Sequence, residues 1–435
     1  MRRDVPTGGA VVARCPGVER GPGKTYAAGM VEHVLIVGAG QAATHTAEAL
    51  RRKGHAGSIT VVGDEAELPY QRPPLSKKYL SGDLERDRLL LRHRPFFEEH
   101  RIELMLGRRA AGIDRANRHV RLEDGTTLAY DALVLATGSR PRRLSLPGAE
   151  LAGVHYLRDL HDTERLRAEL RAGAHAVVIG GGYIGLETAA TLRHLGIEVT
   201  VLEMAPRTMN RVVAETVSRF YEAEHARHGV HIELGARIAA LAGDAHGHVR
   251  AVIAEDGREW KADLVVVGIG VLPNDELARE AGLACDNGIV VDEYCRTADA
   301  AIYAIGDCSN HPSLHYGRRV RLESVDNAVE QANTTVANIL GTPTKHDRVP
   351  WFWSDQYHHK MLIVGLSQDH DLQVLRGSTD NAAFSVCYLR AGELIAIDTV
   401  NQARDQMAAR KLIAARMRPD PTKLADASLA LKDCL

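Results

Sequence analysis

Two segments of the chain have residue types and spacing that suit a dinucleotide. The first reads HVLIVGAGQAATHTAEALRRKG, a run of Val, Ile and Leu that ends at Gly38 and Gly40 and continues as a helical pattern. Gly38 permits a tight turn, Gly40 lets the backbone approach a pyrophosphate, and Ala43 allows close packing of strand and helix. The N-terminus of that helix adds oriented N–H groups and partial positive charge. The segment therefore predicts a pyrophosphate-binding turn, with Ala42 as a further contact.

The second segment, AHAVVIGGGYIGLETAATLRHLG, repeats this order with Gly180, Gly182 and Gly185 at the three positions. A single glycine pattern of this kind occurs by chance, and glycines placed only for packing remain the alternative for each copy. Each copy, however, stands between a predicted strand and a predicted helix, where a dinucleotide turn is required. Two copies in one chain predict a repeat at the scale of a domain.

Each repeat continues into a second strand that is followed by or ends in acidic residues. SITVV is followed by Gly63, Asp64 and Glu65, and EVTVLE ends in Glu203. A carboxylate at this position accepts hydrogen bonds from the ribose hydroxyls and repels a 2′-phosphate, so Glu203 favours NADH over NADPH. Arg207 stands four residues further on and could turn toward a phosphate, although we favour a role within its own loop.

The composition is that of an ordinary globular protein. The 435 residues are 45% hydrophobic and 25% charged, with a formal net charge of -2 and a pI of about 6.9. This balance predicts neither a nucleic acid nor an anionic membrane as partner. No apolar run approaches the roughly 20 residues that span a bilayer. Residues 1–30 lack the apolar core of a signal peptide and are predicted to be disordered, with Met30 a candidate start.

The order of predicted elements indicates an α/β chain with two Rossmann-like domains and a C-terminal α+β domain. Each glycine segment is followed by a similar β-rich stretch, HVRLEDGTTLAYDALVLATGSRPR after the first and VRAVIAEDGREWKADLVVVGIGVLPN after the second. We predict a first domain at 31–139 and 273–347, a second at 140–272 and a third at 348–435. The helical stretch SVDNAVEQANTTVANILG completes the first domain.

The six cysteines and twenty-one histidines carry little sign of chemistry. The cysteines are scattered without a C-x-x-C pair, and none lies between Cys15 and Cys285. Free thiols in a reducing cytoplasm are the interpretation we adopt. His358 and His359 lie in a predicted loop, and no metal site is predicted.

A set of motifs, taken together, resembles the FAD-dependent and NADH-dependent ferredoxin reductases of the putidaredoxin reductase and biphenyl-dioxygenase reductase type. The motifs are GAGQAA, PYQRPPLSK, ATGSRP, GGGYIGLE, YAIGDC, ESVDNAVEQA and WFWSDQY, and they occur in the family's order from about residue 31 onward. The resemblance implies a glutathione-reductase-like fold with a resident FAD and an exchanging NADH.

The resemblance also implies which residues contact each cofactor. The FAD contacts would be Gly38, Gly40, Ala42, Asp64, Glu65, Arg72, Lys77, Ala110, Thr137, Gly138, Arg158, Asp307 and Val325. The NADH contacts would be Gly180, Gly182, Tyr183, Ile184, Gly185, Glu187 and Glu203. Lys77 would lie near the reactive edge of the flavin, Tyr183 would cover its ring, and Glu187 would bind the carboxamide, so these three are the candidate catalytic residues.

The segment PYQRPPLSKKYL is unusual because its adjacent prolines remove two backbone donors. The prolines are expected to exclude helix and to hold Arg72 and Lys77 in place. A reduced flavin carries negative charge, which a fixed cation in a low-dielectric pocket stabilises. The alternatives are a surface lysine for Lys77 and a structural ion pair for Arg72.

One position departs from the family pattern. Asp326 stands where proline is usual, in ESVDNA. The change removes a backbone restraint and adds a negative charge that the resemblance places near the flavin, so it puts the flavin potential in doubt.

The electrons of a reduced flavin need an acceptor, and the chain has no thiol pair for that task. An external acceptor of single electrons, such as a [2Fe–2S] ferredoxin, is therefore predicted. The resemblance implies that this ferredoxin serves a cytochrome P450 or a ring-hydroxylating dioxygenase. Trp351 and Trp353 either form an aromatic wall at the surface where ferredoxin docks or pack in the core. A set of basic residues either attracts an acidic ferredoxin or simply lies on solvated helices. Those basic residues are Arg318, Arg319, Arg410 and Lys411. The alternative functions are an NADH oxidase and a signalling flavoprotein like apoptosis-inducing factor; a monomer or weak homodimer is expected.

Overall fold

The computed structural model describes residues 31–435. The predictions of disorder and of a start at Met30 lie outside that range, as does Cys15. The described chain forms two compact units. Within the described residues, unit 1 comprises 31–70, Leu91–Ser139 and Pro273–Asp347, and unit 2 comprises Gln71–Leu90, Arg140–Leu272 and Arg348–Leu435.

The strands are numbered by their sequence order along the described chain. They are β1 His33–Val37, β2 Ser58–Val62, β3 Ile102–Met105, β4 Ala110–Asp114, β5 His119–Leu122, β6 Thr127–Ala129, β7 Ala132–Leu135, β8 Ser139–Pro141, β9 Val154–Tyr156, β10 His175–Ile179, β11 Glu198–Glu203, β12 His231–Leu234, β13 Ile238–Gly243, β14 Val249–Ala254, β15 Glu259–Lys261, β16 Leu264–Val267, β17 Val271–Pro273, β18 Ile289–Val290, β19 Ile302–Ala304, β20 Ser309–Ser313, β21 Arg318–Val320, β22 Trp351–Gln356, β23 His359–Gly365, β24 Leu372–Ser378, β25 Ala383–Arg390 and β26 Glu393–Val400.

The helices lie between and after these strands. They are α1 Gln41–Arg52, α2 Lys78–Ser81, α3 Arg94–Glu99, α4 Leu160–Glu169, α5 Tyr183–His194, α6 Glu215–Arg227, α7 Glu276–Glu280, α8 Val325–Ile339, α9 Ala403–Ala414 and α10 Pro421–Ala425. Short 3₁₀ helices occur at Pro73–Ser76, Arg86–Leu89, Gly306–Cys308 and Leu431–Asp433.

Unit 1 is built on a parallel sheet with strand order β19-β7-β1-β2-β3. Strands β1, β2 and β7 are almost wholly buried because helices or other chain cover both faces, which explains their continuous Val, Ile and Leu. The β-rich stretch that follows the glycine segment in sequence forms an antiparallel sheet, β4-β5-β6. Helix α8 begins at Val325 because Ser324 caps it, its Oγ accepting from Asn327 N at 3.1 Å.

Unit 2 repeats this plan, as the sequence predicts. Its parallel sheet has the order β12-β11-β10-β16-β9, and its antiparallel return is β13-β14-β15. Strands β10, β11, β12 and β16 correspond in order to β1, β2, β3 and β7. The C-terminal part of unit 2 is a separate antiparallel sheet, β22-β23-β26-β25-β24, followed by α9 and α10. The predicted α/β class with a C-terminal α+β part is confirmed.

The division of the chain differs from the predicted domains at one segment. Gln71–Leu90, predicted to belong with 31–139, groups with unit 2. The side chains of this segment explain the grouping, since Ser76 and Lys77 bond to Glu187 and Tyr79 donates to Glu164 at 3.0 Å. The predicted domain boundaries, including those that separate 140–272 from 348–435, stay a prediction.

Candidate functional site

The first glycine turn has the geometry expected of a pyrophosphate-binding loop. Gly38 has a φ of +109°, and a Cβ there would lie 2.1 Å from Ala136 O, so only glycine fits. A Cβ at Gly40 would meet no atom within 4 Å, which leaves open space beside the backbone. Gly40 precedes α1 without a side-chain cap, and the first turn of α1 holds no acidic residue. The N–H groups of this helix end can therefore bind a phosphate.

The residues expected around an FAD in unit 1 occupy its loops and helix starts. Exposed Asp64 follows β2, whereas the Glu65 carboxylate accepts a hydrogen bond from Tyr70 OH. Ala42 and Val325 stand in the first turns of α1 and α8, and Ala110 begins β4.

The loop after β7 is tied to two later segments of unit 1. Thr137 Oγ1 donates to Asn274 O at 2.6 Å, and Gly138 O accepts from Asn274 N at 2.9 Å. Ser139 Oγ donates to Asp307 Oδ2 at 2.8 Å. These bonds bring Thr137, Gly138 and Asp307 together, and their contact with FAD stays a prediction.

The second glycine turn, in unit 2, has the same construction. Gly180 has a φ of +107°, and a Cβ there would lie 2.5 Å from Gly268 O. A Cβ at Gly182 would meet nothing within 4 Å, and one at Gly185 would lie 2.0 Å from Gly180 O. Helix α5 begins without a side-chain cap or an early acidic residue, and Ile184 in its first turn is 48% exposed. Unit 2 therefore also fits a dinucleotide.

The acid at the end of β11 holds the second glycine turn. Glu203 Oε2 accepts from Gly181 N at 2.7 Å and Oε1 accepts from Ala205 N at 2.7 Å. Arg207 donates to Val213 O at 2.9 Å and to Ser218 Oγ at 2.6 Å. This geometry agrees with the favoured role for Arg207, inside its own loop.

The proline segment forms a single turn of helix, which corrects the expectation that its prolines exclude helix. Pro73–Ser76 is a 3₁₀ helix with proline at its first positions, where no backbone N–H is needed. Arg72 Nη1 donates to Arg158 O at 2.9 Å, and Arg158 N donates to Asp162 Oδ2 at 3.0 Å. The structure thus brings Arg72 and Arg158 together.

Lys77 and Glu187 form an ion pair in unit 2. Lys77 Nζ lies 2.7 Å from Glu187 Oε2, and the two side chains are 18% and 2% exposed. Glu187 also accepts from Ser76 Oγ at 2.8 Å and from Ser354 Oγ at 2.7 Å. Lys77 is therefore not an ordinary surface lysine, and Glu187 is a buried carboxylate that is held by three donors.

Aromatic rings lie on the helix that carries Glu187 and on the strand that carries Ser354. The ring of Tyr183 lies 4.8 Å from that of Phe352, and burial raises the pKa of Tyr183 well above its usual value. Trp351 and Trp353 have ring centroids 5.6 Å apart, and Trp351 packs against the C-terminal core. The geometry of Trp351 supports the core-packing interpretation.

The polar residues of β22 that connect to Glu187, Ser354 directly and Gln356 through Ser354, were not predicted from the sequence. Ser354 and Gln356 lie on the same face of β22 as Phe352, opposite Trp351 and Trp353, because side chains alternate along a strand. The alternation in WFWSDQ was the available signal. His225, which contacts Gln356, had none, because it lies 131 residues away in sequence.

The described cysteines do not form a thiol relay. Cys285, Cys295, Cys308, Cys387 and Cys434 are all unpaired. Burial raises the pKa of the Cys285 thiol to about 11 and of the Cys295 and Cys387 thiols to about 12, so these thiols are protonated and unreactive.

Three side chains have the spacing of metal ligands, although their hydrogen bonds oppose that use. Glu224, His358 and His359 place one ligand atom each within 4.8 Å of one another. Asn401 Nδ2 faces His359 Nδ1 at 3.2 Å, because Asn401 Oδ1 accepts from Lys360 N. His359 Nδ1 is thus the acceptor, and Nε2 lies 3.1 Å from Glu224 Oε1. His359 begins β23 instead of lying in the predicted loop.

The four basic residues that could attract a ferredoxin differ in their contacts and in their exposure. Arg319 donates to Asn310 Oδ1 at 3.0 Å and to Val291 O at 2.6 Å, and the Arg410 guanidinium lies 5.7 Å from the centre of the Trp351 ring. Lys411 is exposed and Arg318 is half-buried. Within residues 31–435, no helix combines the length and apolar character needed to cross a bilayer.

Comparison with known proteins extends over nearly all of the described chain. The profile of the pyridine nucleotide-disulphide oxidoreductase family matches residues 32–332, and that of the reductase C-terminal domain matches residues 351–435. Rhodocoxin reductase of Rhodococcus erythropolis is 46% identical over 399 residues, which cover 92% of this chain and 93% of that protein.

Two further likenesses come from a dioxygenase system and from a solved complex. The ferredoxin–NAD(+) reductase component of the anthranilate 1,2-dioxygenase system of Burkholderia cepacia is 44% identical, over 92% of this chain and 98% of its own. The reductase in the crystal structure of the covalent putidaredoxin reductase–putidaredoxin complex is 43% identical, with a TM-score of 0.90, over 93% of this chain and 98% of its own.

Proposed function

Because the chain belongs to the pyridine nucleotide-disulphide oxidoreductase family, with a reductase C-terminal domain, we propose that it is an NADH-dependent, FAD-containing ferredoxin reductase. The balanced reaction is NADH plus two oxidised ferredoxins giving NAD⁺, two reduced ferredoxins and one proton. The observation that carries the proposal is the likeness, over 93% of the chain, to a reductase solved together with putidaredoxin.

The chain's own residues bind the two dinucleotides. The turn at Gly38 and Gly40, with the open end of α1, would hold the pyrophosphate of FAD, and Asp64 would bind its ribose. The turn at Gly180 and Gly182 would do the same for NADH. Both turns have room for a ligand beside the second glycine and an uncapped helix end, which supports these assignments.

Bound FAD would accept a hydride from NADH and release the two electrons one at a time. With the cofactors bound, Lys77 would offer a fixed positive charge, and Glu187 holds that charge in place through the 2.7 Å contact between them. Asp307 and Val325 complete the FAD contacts, and Asp326 adds a negative charge beside Val325. The effect of Asp326 on the flavin potential is measurable with an Asp326→Pro variant.

The acceptor is a [2Fe–2S] ferredoxin that supplies a cytochrome P450 or a ring-hydroxylating dioxygenase. The cysteines within the described residues are unpaired, and burial raises the pKa of their thiols. They therefore do not favour an NADH oxidase that works through a reactive thiol. The same free thiols support a place in the reducing cytoplasm. A monomer or weak homodimer is proposed, to be measured by analytical ultracentrifugation.

The test is ferredoxin-dependent reduction of cytochrome c by the purified yellow holoprotein. Adding a [2Fe–2S] ferredoxin from a P450 or dioxygenase system should raise the NADH-driven rate many-fold, whereas NADPH should drive little reduction. Omitting the ferredoxin is the control. A slow rate that no ferredoxin in a panel increases would favour the signalling alternative, and a protein that stays colourless after reconstitution with FAD would contradict the proposal.

A further inference from the structure

A chain of hydrogen bonds extends from Glu187 into the C-terminal sheet and on to α6. Ser354 Oγ donates to Glu187 Oε1 at 2.7 Å, and Gln356 Nε2 donates to Ser354 Oγ at 3.3 Å. His225 Nε2 lies 2.9 Å from Gln356 Oε1, and Tyr357 OH lies 3.0 Å from His225 Nδ1. All five residues lie in unit 2.

Every hydrogen bond in this series is donated in the same direction, from Tyr357 toward Glu187. The Gln356 amide donates to Ser354, so its oxygen faces His225 and must accept. His225 therefore carries its proton on Nε2, and its Nδ1 accepts from Tyr357 OH. Burial lowers the pKa of His225 to about 4, which keeps the ring neutral, with a single N–H, at neutral pH.

The residues in the middle of this hydrogen-bond chain are shielded from water. His225, Gln356 and Ser354 are each fully buried, and Glu187 is 2% exposed. In such surroundings hydrogen bonds that point the same way polarise one another and strengthen the last bond, which here ends on a carboxylate. Loss of a member removes one hydrogen bond from each of its buried neighbours.

We propose that Ser354, Gln356 and His225 are positioning residues of the reductase, which fix the Glu187 carboxylate and through it the ammonium of Lys77. The inference rests on the proposed function, because Lys77 matters through its charge beside the flavin. The C-terminal sheet thereby takes part in reduction of the flavin by NADH, in addition to its own packing.

The first experiment measures flavin reduction by saturating NADH in a stopped-flow instrument, without ferredoxin. Ser354→Ala should lower the limiting rate about tenfold, with the NADH dissociation constant changed less than about twofold. His225→Leu should have a smaller effect because it acts two links further away. His225→Gln, which can keep a donor near the Nε2 position, should restore most of the rate.

A matched control exists in the same sheet. Ser385 on β25 is fully buried and donates to Asp405 Oδ2 at 2.9 Å, so it too bonds a carboxylate, but one outside the chain. Ser385→Ala should lower the melting temperature as Ser354→Ala does and leave flavin reduction unchanged. An equal loss of rate in both variants would mean a general packing effect and would overturn the proposal.

A double-mutant cycle tests whether the chain acts through Glu187. In a Glu187→Gln background, Ser354→Ala should change the reduction rate by less than about twofold further. If the two effects instead multiply in full, Ser354 acts elsewhere and the inference fails.

A second measurement is independent of turnover. In the oxidised holoprotein without NADH, long-range ¹H–¹⁵N spectra of histidine should show His225 as the neutral Nε2–H tautomer, assigned by its loss in His225→Gln. An Nδ1–H tautomer or a charged His225 ring would contradict the proposed order of donors and acceptors. This spectrum and the NADH rates stand even where no ferredoxin is reduced, so failure of the proposed function and of the inference are distinguishable.

Discussion

The Nζ of Lys77 and the Oε2 of Glu187 lie 2.7 Å apart, 110 positions along the chain from each other. The pair joins the 3₁₀ turn of the proline segment to the first turns of α5. A cation that is held in this way keeps its place without the freedom of an ordinary lysine side chain, which is the requirement for electrostatic stabilisation of charge on a ligand.

Replacing Lys77 with methionine should slow flavin reduction by about tenfold to hundredfold, because the charge that stabilises the reduced flavin is lost. The variant should also unfold more easily, by about 3 kcal/mol, since Glu187 is left as a buried charge without its cation. Lys78→Met, at the exposed neighbour, is the control and should change neither the stopped-flow rate nor urea unfolding. An unaltered Lys77→Met enzyme would contradict the assigned role of this lysine.

Glu203→Gln should reduce the preference for NADH over NADPH by about tenfold, measured as the ratio of kcat/KM values, because a neutral amide no longer repels a 2′-phosphate. Its KM for NADH should rise as well, since both carboxylate oxygens hold backbone N–H groups of the loop. Glu198→Gln, at the exposed start of the same strand, should leave the ratio unchanged. Equal rates with both nucleotides in the unaltered protein would refute the argument.

Asp398 should make stability depend on pH. Burial raises the pKa of this carboxyl to about 7, and Tyr388 OH donates to it. Between pH 4 and pH 7 the folded state therefore binds more protons than the unfolded state, so the free energy of unfolding falls as pH rises through this window. The full effect of a shift of about 3 pKa units is on the order of 4 kcal/mol.

Asp398→Asn keeps the acceptor for Tyr388 and cannot ionise, so urea unfolding between pH 5 and pH 8 should lose this slope. Asp380→Asn, an exposed aspartate, should retain the slope of the unaltered protein. Parallel pH profiles for Asp398→Asn and the unaltered protein would show that the carboxyl titrates normally.

Arg376 should be essential for the C-terminal domain. It donates to Asp405 Oδ2 at 2.8 Å and to the backbone of Asp426 at 2.6 Å, and its side chain is 5% exposed. Arg376→Leu should cost about 3–5 kcal/mol in chemical unfolding, because Asp405 becomes a buried, uncompensated charge. Arg418→Leu, at an exposed arginine, should cost less than about 0.5 kcal/mol.

Local patterns were enough to predict the repeated architecture and both glycine turns. Gly38 and Gly180 are needed for backbone geometry, and the strands around them are buried on both faces, so their signals lie within a few neighbouring residues. The bond of Ser354 to Glu187 joins residues 167 positions apart and left no such signal. The prolines at 73 and 74 misled because a rule against helix interiors does not apply to a first turn.

The grouping of Gln71–Leu90 with unit 2 has a practical consequence for anyone who wishes to divide the protein. The linear order of the motifs suggests cutting the chain at residues 139 and 273. The fragment with residues 31–139 would then contain Gln71–Leu90, whereas Glu187 would be in the other fragment. Separately expressed halves would then each hold one partner of a charge pair. Dissection of this reductase is better done by point substitution than by truncation.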